Sequence, residues 1–306
     1  MNNLQKAVQD YLGMRRALGY KLHQAGTLLP NFISFLERQG ASYITIPLAL
    51  QWAQQNPAGR PARWAQRLTC VRGFARHWSA TDPRTEIPPW GLLPHRPARA
   101  RPYLFTDEEI RLLLEAARRL GGLPGLTYHC LFGLLSVTGM RIGEALHLRC
   151  EDVDWAQGVL MLRGTKFGKT RLVPVHPSTQ QILSEYAERR DRVFARQLDY
   201  FFVSQRGNRL GVAQVRHTFH ALCRQIGLRG PNDSHGPRLH DFRHRFAVRT
   251  LVEWYRSGQD AERRLPILST YLGHVEVSDT YWYLSTCPEL MGLAVKRLEE
   301  RWEVAS

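Results

Sequence analysis

The amino-acid sequence predicts a mainly α-helical protein with one small antiparallel β-sheet, an α+β fold. Apolar residues recur at helical spacing through most of the chain, and capping residues and glycines mark the ends of the segments. Between residues 152 and 175 this pattern gives way to the short runs "DVDW", "VLMLR" and "RLVPV", joined by glycine-containing turns, which indicates strands. The 306 residues suffice for two domains of ordinary size.

Residues 1–95 are predicted to form the first domain, built from short helices. One face of the opening helix is marked at helical spacing by Leu4, Val8, Tyr11, Leu12 and Arg15. The segment "TLLPNFISFLERQG" is predicted to be a second helix that ends on Gly40, and Pro47 is a suitable first residue for a third.

The segment "ARWAQRLTCVRGFARHWSA" is predicted to be a longer helix with both basic and apolar residues. Along it, Arg63, Arg67, Arg72 and Arg76 are interleaved with Trp64, Leu68, Val71 and Phe74. Such a helix can lie on a phosphate backbone or be a solvated surface helix, and the pattern leaves both interpretations open.

A change of composition separates this domain from the rest. The stretch "DPRTEIPPWGLLPHRPARARPYL" is rich in proline and arginine and lacks periodicity, and prolines favour extended chain. We therefore predict a basic linker at residues 96–102, whose arginines would allow it to run along a phosphate backbone.

The second domain is predicted to span residues 103–306. It opens with "FTDEEIRLLLEAARRLGG", in which Thr106 is the N-cap and Glu109 completes a capping box. A buried helix, a tight "TG" turn and another helix are expected before the strands, and the remainder is predicted to be mostly helical.

The charge balance favours a polyanionic partner. Lysines and arginines number 42 against 27 acids, for a net charge of +15, and such an excess is typical of nucleic-acid-binding proteins. No apolar run approaches the roughly 20 residues of a membrane span. The five cysteines include no C-x-x-C pair, so neither a disulfide framework nor a cysteine zinc site is indicated. We expect a cytosolic protein.

Two basic residues are candidates for phosphate chemistry. Arg141 follows the "TG" turn at a helix start, where its guanidinium and unpaired backbone N–H groups suit an anion. Lys166 lies in "GTKFGKT", at the tip of the predicted hairpin, where a lysine can act as a general acid. Lys169 shares that turn and competes for the role, and taken alone each residue also fits an ordinary surface position.

The segment "LHDFRHRF" brings a proton carrier and a cation together. His240 and Arg243 share a helix face, and His244 follows one turn after His240. Histidine moves protons near neutral pH, whereas arginine neutralises phosphate. A metal site is an alternative for these histidines and for the cluster His217, His220 and Cys223, but neither cluster has a partner at standard zinc spacing. We predict no metal.

The segment "LGHVEVSDTYWYLS" contains a histidine and two tyrosines. His274 is expected just past a helix end, and Ser278 is a natural N-cap for the helix that follows. Because each helical residue turns about 100°, Tyr281 and Tyr283 point roughly 200° apart and cannot both face one site. Either tyrosine alone could be an ordinary core aromatic.

Together these residues provide the groups that one reaction requires. Metal-free cleavage of a phosphodiester needs a nucleophile, cations that neutralise the phosphate oxygens, and an acid for the leaving oxygen. Two arginines, a lysine, two histidines and a tyrosine supply all three, and the sequence has no Walker loop, acidic metal cluster or zinc motif.

At this point the chain resembles the tyrosine recombinase (phage integrase) family over residues 103–300. "TGMRIGEAL" resembles the family's first arginine box and identifies Arg141. "TKFGKTRLVPV" resembles its hairpin, in which the lysine five residues before the "RLVP" arginine is the functional one, identifying Lys166 rather than Lys169.

The remaining boxes follow in order. "LHDFRH" resembles the H-x-x-R box and identifies His240 and Arg243. "LGH" followed nine positions after its histidine by a tyrosine resembles the last box and identifies His274 and Tyr283. The resemblance therefore implies that Tyr283 is the nucleophile and Tyr281 its structural neighbour.

The resemblance implies a mechanism. Tyr283 would attack a DNA phosphate in line, form a 3′-phosphotyrosyl bond and release a 5′-hydroxyl, while Arg141 and Arg243 hold the non-bridging oxygens. Lys166 would protonate the leaving oxygen, and His240 would act as acid and base on the tyrosine side.

In the same resemblance His274 would hydrogen-bond the phosphate, and no cofactor, metal or ATP is implied. Residues 1–95 would be a helical, SAM-like core-binding domain that clamps double-stranded DNA with the catalytic domain. The partners implied are protomers of a homo- or hetero-tetramer of recombinases on DNA, and the tail "STCPELMGLAVKRLEERWE" would dock on a neighbouring protomer. A tail helix packed on its own domain fits the apolar pattern equally well.

Two alternatives follow from the same chemistry and charge. A type IB topoisomerase would relax DNA without exchanging partners, and a non-catalytic DNA-binding protein could retain the fold. The presence of Tyr283, Arg141 and Arg243 favours an enzyme. Arg245 departs from the family pattern, which often has a small hydroxyl residue there. The aromatic ending "TYWYLS" favours a bacterial mobile-element recombinase acting on the nucleoid in integration, excision or transposition.

Overall fold

The structure is a computed structural model that describes residues 3–56, 61–93, 101–164, 170–233, 235–274, 276–284 and 287–305. The chain divides into two compact units, Met1–Ala100 and Arg101–Ser306. Of the predicted linker, residues 96–100 lie outside the described residues. The assignment of the first unit as a core-binding domain stays a prediction.

The first unit consists of helices packed around one apolar core. Its described helices are α1 (Asn3–Ala17), α2 (His23–Arg38), α3 (Ile46–Ala53) and α4 (Pro61–Trp78). Helix α1 buries the predicted Leu4, Val8, Tyr11 and Leu12. Helix α2 begins at His23, four residues before the "TLLP" segment in which we expected it. Phe32 and Trp52 are fully buried, with ring centroids 5.0 Å apart.

One arginine of the predicted basic face of α4 is structural. Arg72 is only 5% exposed, and its guanidinium donates hydrogen bonds to the carbonyl oxygens of Pro88 and Pro89 at 2.7 and 2.9 Å. The same guanidinium lies 4.2 Å above the ring of Trp90. Arg72 therefore fixes the segment that follows α4. Its hydrogen-bond donors are occupied by the two proline carbonyls and do not face a phosphate-binding surface.

The second unit is α+β, as predicted. Its described helices are α5 (Asp107–Arg118), α6 (Gly122–Thr138), α7 (Ile142–His147), α8 (Pro177–Phe194), α9 (Val212–Gln225), α10 (Asp241–Arg256), α11 (Ala261–Leu272), α12 (Ser278–Leu284) and α13 (Pro288–Ala305). The predicted capping box of α5 is present: the Thr106 hydroxyl accepts from the backbone N–H of Glu109, whose carboxylate accepts from the backbone N–H of Thr106. Helix α6 lies in the core against α5, α8 and α10.

The strands that the structure describes form an antiparallel sheet in the order β1-β2-β3. They are β1 (Val153–Asp154), β2 (Val159–Leu162) and β3 (Arg171–Pro174), close to the predicted runs but shorter. Leu160 pairs with Val173 and both are fully buried, so the inner face of the sheet closes the core. The connection between β2 and β3 includes residues 165–169, which lie outside the described residues.

Two helix ends prepare the site. Gly139 is the C-cap of α6 and Gly273 is the C-cap of α11, and both adopt the left-handed conformation, with φ of 60° and 69°. Glycine adopts this conformation without the steric penalty of a Cβ atom. At these two ends, the carbonyl oxygens of Gly139 and Leu272 accept hydrogen bonds from the buried Arg243.

Arg245, the departure from the family pattern, has a clear structural role. Its Nε donates to the carbonyl oxygen of Phe105 at 2.9 Å, and its guanidinium pairs with Asp107. Arg249 also pairs with Asp107, at 2.7 Å. Arg245 therefore fastens the first residues of the second unit to helix α10.

The C-terminal helix α13 packs on helix α10 of its own chain. Leu290 is 1% exposed, whereas Met291 and Val295 are about half exposed. The Arg297 guanidinium donates to the carbonyl oxygen of Gln259 at 2.6 Å. This is the packing that the sequence offered as the alternative to docking, and docking on a neighbouring protomer stays a prediction. Within the described part of the chain, none of the helices combines the length and apolar character needed to cross a membrane.

Candidate active site

Five of the predicted side chains converge within the second unit. Arg141 is the N-cap of α7, His240 is the N-cap of α10, and Arg243 lies in the first turn of α10. His274 follows the C-terminus of α11, and Tyr283 lies in α12. The predicted Lys166 and its competitor Lys169 lie outside the described residues.

Arg243 is the buried cation of the site. Arg243 is 1% exposed, and its guanidinium donates to the carbonyl oxygens of Gly139 at 3.0 Å and Leu272 at 2.5 Å. It also hydrogen-bonds the Tyr283 side chain. Burial lowers the pKa of Arg243 to about 10, an effect that the charge of Arg141 reinforces and that Tyr283 opposes. The guanidinium therefore remains charged at neutral pH and is aimed at the tyrosine.

Arg141 is held by a carboxylate and a carbonyl. Its guanidinium donates to Glu144 at 2.9 Å and to the carbonyl oxygen of Gly273 at 3.1 Å. Glu144 also accepts from Arg171 through two hydrogen bonds of 2.9 and 2.8 Å. Burial opposes the charge of Glu144, but the hydrogen bonds and charge of Arg171, followed by those of Arg141, hold its pKa below the ordinary value.

Histidine rings surround the tyrosine. The Tyr283 ring lies 5.9 Å from His274, nearly parallel at 19°, and 5.3 Å from His244 in an edge-on arrangement. His240 in turn lies 4.9 Å from His244. Nδ1 of His274 is 2.8 Å from the hydroxyl of Thr280.

The histidines of the site have lowered pKa values. Desolvation, followed by the charges of Arg243 and Arg141, lowers the pKa of His274 to about 4. Desolvation and then the charge of Arg243 lower the pKa of His240. Both rings are therefore held neutral near pH 7, and a neutral His240 can accept a proton.

The two tyrosines of α12 are separated as their spacing predicted. Tyr283 is 3% exposed and faces the arginines, whereas Tyr281 is 55% exposed on the opposite side of the helix. Among the described residues, Tyr283 contacts Arg243, His244 and His274. Its role as the nucleophile stays a prediction.

Four further residues of the site were not among the predicted ones. Glu144 and Arg171 brace Arg141, His244 packs on Tyr283, and Thr280 bonds His274. Glu144 stands three residues after an N-cap, a capping-box spacing that is visible in the sequence. Thr280 stands one helical turn before Tyr283, a spacing that is also visible in the sequence. Arg171 approaches from a distant strand and carries no comparable local signal.

The histidines of the other candidate metal cluster lie on a helix that carries none of the site residues named above. His217 and His220 are on α9, where Cys223 is fully buried in the core. Burial, followed by the charge of Arg229 and neighbouring cations, lowers the pKa of His220. Among the described residues, no group of three or more histidine, cysteine or acidic side chains is arranged to hold a metal ion.

The arrangement is suited to phosphate chemistry. The Arg243 guanidinium contacts the Tyr283 side chain, and the charge of Arg141 acts on Arg243. Arginine forks bind phosphate oxygens through paired hydrogen bonds. Donors fixed in advance around a position where negative charge develops are the strongest source of transition-state stabilisation. A tyrosine in that environment can act as a nucleophile.

Sequence comparison identifies the family. Residues 104–289 match the model of the phage integrase family. The Sinorhizobium fredii protein y4rB, which is named as an integrase/recombinase, is 56% identical over 311 aligned residues that cover 99% of each chain. The tyrosine recombinase XerC of Chlamydia caviae is 27% identical, covering 90% of this chain and 92% of XerC. The chain therefore belongs to the phage integrase family and is a tyrosine-type recombinase.

Solved structures show the same fold. The integrase of transposon Tn1549, in complex with transposon right end DNA, superposes with a TM-score of 0.68 at 16% identity, covering 96% of this chain and 98% of that one. A lambda integrase dimer bound to a core site gives a TM-score of 0.58 at 17% identity, covering 90% and 96%. These likenesses confirm the predicted fold, including the mainly helical character and the small sheet.

Proposed function

We propose that this protein is a site-specific recombinase that breaks and rejoins double-stranded DNA through a covalent 3′-phosphotyrosyl intermediate on Tyr283. The observation that carries the proposal is the buried contact between the Tyr283 side chain and the Arg243 guanidinium, with Arg141 beside it. A structural tyrosine would not need two cations whose donors are held by helix-end carbonyls.

The scissile phosphate would occupy the space in front of these two arginines. Arg141 is 27% exposed at its side chain and is the more accessible of the pair, so it would meet a non-bridging oxygen first. Arg243 would bind the second oxygen while its contact with Tyr283 keeps the nucleophile aligned. Charge neutralisation would then favour the pentavalent transition state.

The proton steps complete the reaction. The Tyr283 hydroxyl oxygen forms the bond to phosphorus, and its proton passes to His240, whose lowered pKa keeps it neutral and able to accept. The bond from phosphorus to the 5′ oxygen breaks, and Lys166 of the hairpin delivers a proton to that oxygen. His274 donates a hydrogen bond to the phosphate. Rejoining is the reverse of these steps on a new 5′-hydroxyl, and no cofactor enters.

The biological setting follows from charge and relatives. The net charge of +15 suits a DNA-wrapping protein, and the integrase/recombinase y4rB and the Tn1549 integrase suggest a mobile element. We infer that protomers act as a tetramer on DNA in the bacterial cytoplasm, in integration, excision or transposition of such an element.

The test is a trapping experiment with matched variants. Wild type, Tyr283→Phe and Tyr281→Phe would be mixed, without added metal, with labelled nicked duplexes taken from both ends of the DNA element that carries the gene. We expect a protein–DNA adduct that survives a denaturing gel for wild type and Tyr281→Phe, and none for Tyr283→Phe.

The other outcomes are equally informative. Loss of the adduct only in Tyr281→Phe would contradict the choice of nucleophile. Wild type that binds these duplexes without forming an adduct would favour a non-catalytic DNA-binding role. Adduct formation with relaxation of supercoiled plasmid, but no exchange between two labelled duplexes, would favour a topoisomerase.

A further inference from the structure

A buried threonine on the nucleophile's own helix bonds an active-site histidine. Thr280 is completely buried, and its hydroxyl oxygen lies 2.8 Å from Nδ1 of His274. Thr280 precedes Tyr283 by three residues, so both side chains lie on one face of α12. The His274 ring is thereby in contact with two successive turns of that helix, through a hydrogen bond at one and a stacked ring at the other.

Because His274 is neutral, this hydrogen bond can determine which of its two ring nitrogens carries the proton. The lowered pKa of His274 means that its ring is neutral at the pH of the reaction. A neutral imidazole has one N–H donor and one acceptor nitrogen, and its hydrogen-bond partners select between the two tautomers. A phosphate oxygen only accepts, so His274 must present its N–H to the DNA.

A hydroxyl at Nδ1 can select the required tautomer. When the Thr280 hydroxyl donates to Nδ1, the proton of the ring resides on Nε2, on the opposite edge. With an apolar group in place of the hydroxyl, Nδ1 would lack this partner and the two tautomers would become comparable in energy. The orientation of the ring would also be held by stacking alone.

We propose that Thr280 is a positioning residue that donates its hydroxyl proton to Nδ1 of His274 and so keeps the Nε2–H group aimed at the scissile phosphate. This inference rests on the proposed function, because the phosphate is the acceptor that gives the tautomer its meaning. It also couples the histidine to the nucleophile, since movement of α12 displaces Thr280 and Tyr283 together.

Two substitutions separate this role from simple core packing. Thr280→Val keeps the shape of the side chain and removes the hydroxyl, whereas Thr280→Ser keeps the hydroxyl and removes a methyl group. In single-turnover adduct formation with the nicked duplexes, we expect Thr280→Val to be about tenfold slower than wild type, the worth of one hydrogen bond. Thr280→Ser should remain within about threefold of wild type, because the donor is retained.

A double substitution tests whether the effect passes through the histidine. In the His274→Phe background, which preserves a ring on Tyr283, adding Thr280→Val should change the rate by less than about twofold. A full tenfold loss in that background would overturn the inference. A larger loss for Thr280→Ser than for Thr280→Val would do the same, because packing would then be the cause.

A spectroscopic readout makes the inference independent of catalysis. Imidazole nitrogen shifts of ¹⁵N-histidine-labelled protein, assigned by comparison with His274→Phe, report the tautomer directly in the absence of DNA. We expect the Nε2–H tautomer for wild type and Thr280→Ser, and a mixture for Thr280→Val. A wild type with the proton on Nδ1 would overturn the inference even if adduct formation confirms the proposed function, whereas the expected tautomer with no adduct would contradict the proposed function instead.

Discussion

Replacing Glu144 by glutamine should destabilise the second unit more than removal of an exposed ion pair would. The carboxylate is 8% exposed and lies between Arg141 and Arg171, with hydrogen bonds of 2.8–2.9 Å to both guanidiniums. The Glu144→Gln side chain has the same shape, but it lacks the charge, and its amide nitrogen cannot accept from the donors that now face it. Two partly buried cations would lose their common counter-charge.

The size of the effect can be worked out from burial. Removing one partner from a buried ion pair costs about 3–5 kcal/mol, and we take about 3 kcal/mol because Arg141 is partly exposed. For a unit of this size, each kcal/mol lowers Tm by about 2–4 °C, so we expect a fall of about 6–12 °C. The matched control is Glu188→Gln, which breaks the exposed pair of Glu188 with Arg192, worth a few tenths of a kcal/mol at most.

The assay is thermal unfolding of purified wild type and both variants near pH 7. The pH dependence gives a second check on Glu144. A depressed carboxylate pKa contributes stability above the unfolded value of 4.5 that is lost as the pH falls through the folded value, so the gap between wild type and Glu144→Gln should narrow in acid. If Glu144→Gln lowers Tm no more than Glu188→Gln does, the buried network is not the brace that we describe.

Three further predictions use other features of the site. Gly273→Ala should slow adduct formation at least about tenfold, because a Cβ would lie 2.7 Å from Nη1 of Arg171, whose guanidinium is held by Glu144, the carboxylate that also holds Arg141. Gly258→Ala, with φ of +68° and open space, should not slow it, although both variants share a backbone strain of about 1–2 kcal/mol. Equal rates for the two variants would contradict this. Arg245→Ala should lower the free energy of unfolding by about 1–3 kcal/mol in urea titrations, because the partly buried carbonyl of Phe105 loses its donor. The control Arg249→Ala should lower it by only a few tenths of a kcal/mol, because Arg249 is 64% exposed. As the pH falls from 6.5 to about 4, wild type should lose more of its free energy of unfolding than His274→Gln does. The reason is that the unfolded chain binds a proton at His274, whereas the folded ring, with its pKa of about 4, does not. Parallel curves of stability against pH for the two proteins would refute this.

Local signals in the sequence were sufficient to predict the secondary-structure elements and the separation of the two tyrosines of α12. The Thr106 capping box, the glycine helix ends and the short strands each depend on a few neighbouring residues, and all of them are present. The rotation of about 100° per helical residue is enough to place Tyr283 and Tyr281 on opposite sides of one helix. The order of the boxes identified the remaining candidate residues, whose catalytic roles stay predictions, and Lys166 among them lies outside the described residues.

Contacts between distant segments could not be predicted in this way. Arg72 was expected on a basic face, but carbonyls that follow α4 in the chain bury it. Arg245 stood out only as a departure from a pattern, and its partner Phe105 is 140 residues away. The pairing of Arg171 with Glu144 depends on how a strand meets a helix. No local propensity encodes such pairings, because they arise when separate elements pack.

The helix-end carbonyls explain how two guanidiniums can converge before any phosphate arrives. Like charges repel, and Glu144 neutralises Arg141 and Arg171 only in part. The C-terminus of a helix carries a partial negative charge on its unpaired carbonyls. Those of α6 and α11 accept from Arg243, and Gly273 accepts from Arg141. The backbone carbonyls thus supply part of the negative charge that the phosphate would bring to the two guanidiniums. The left-handed glycines Gly139 and Gly273 form the helix ends that present these carbonyls. The site can therefore be assembled on the free protein, so that the DNA meets donors that are already oriented.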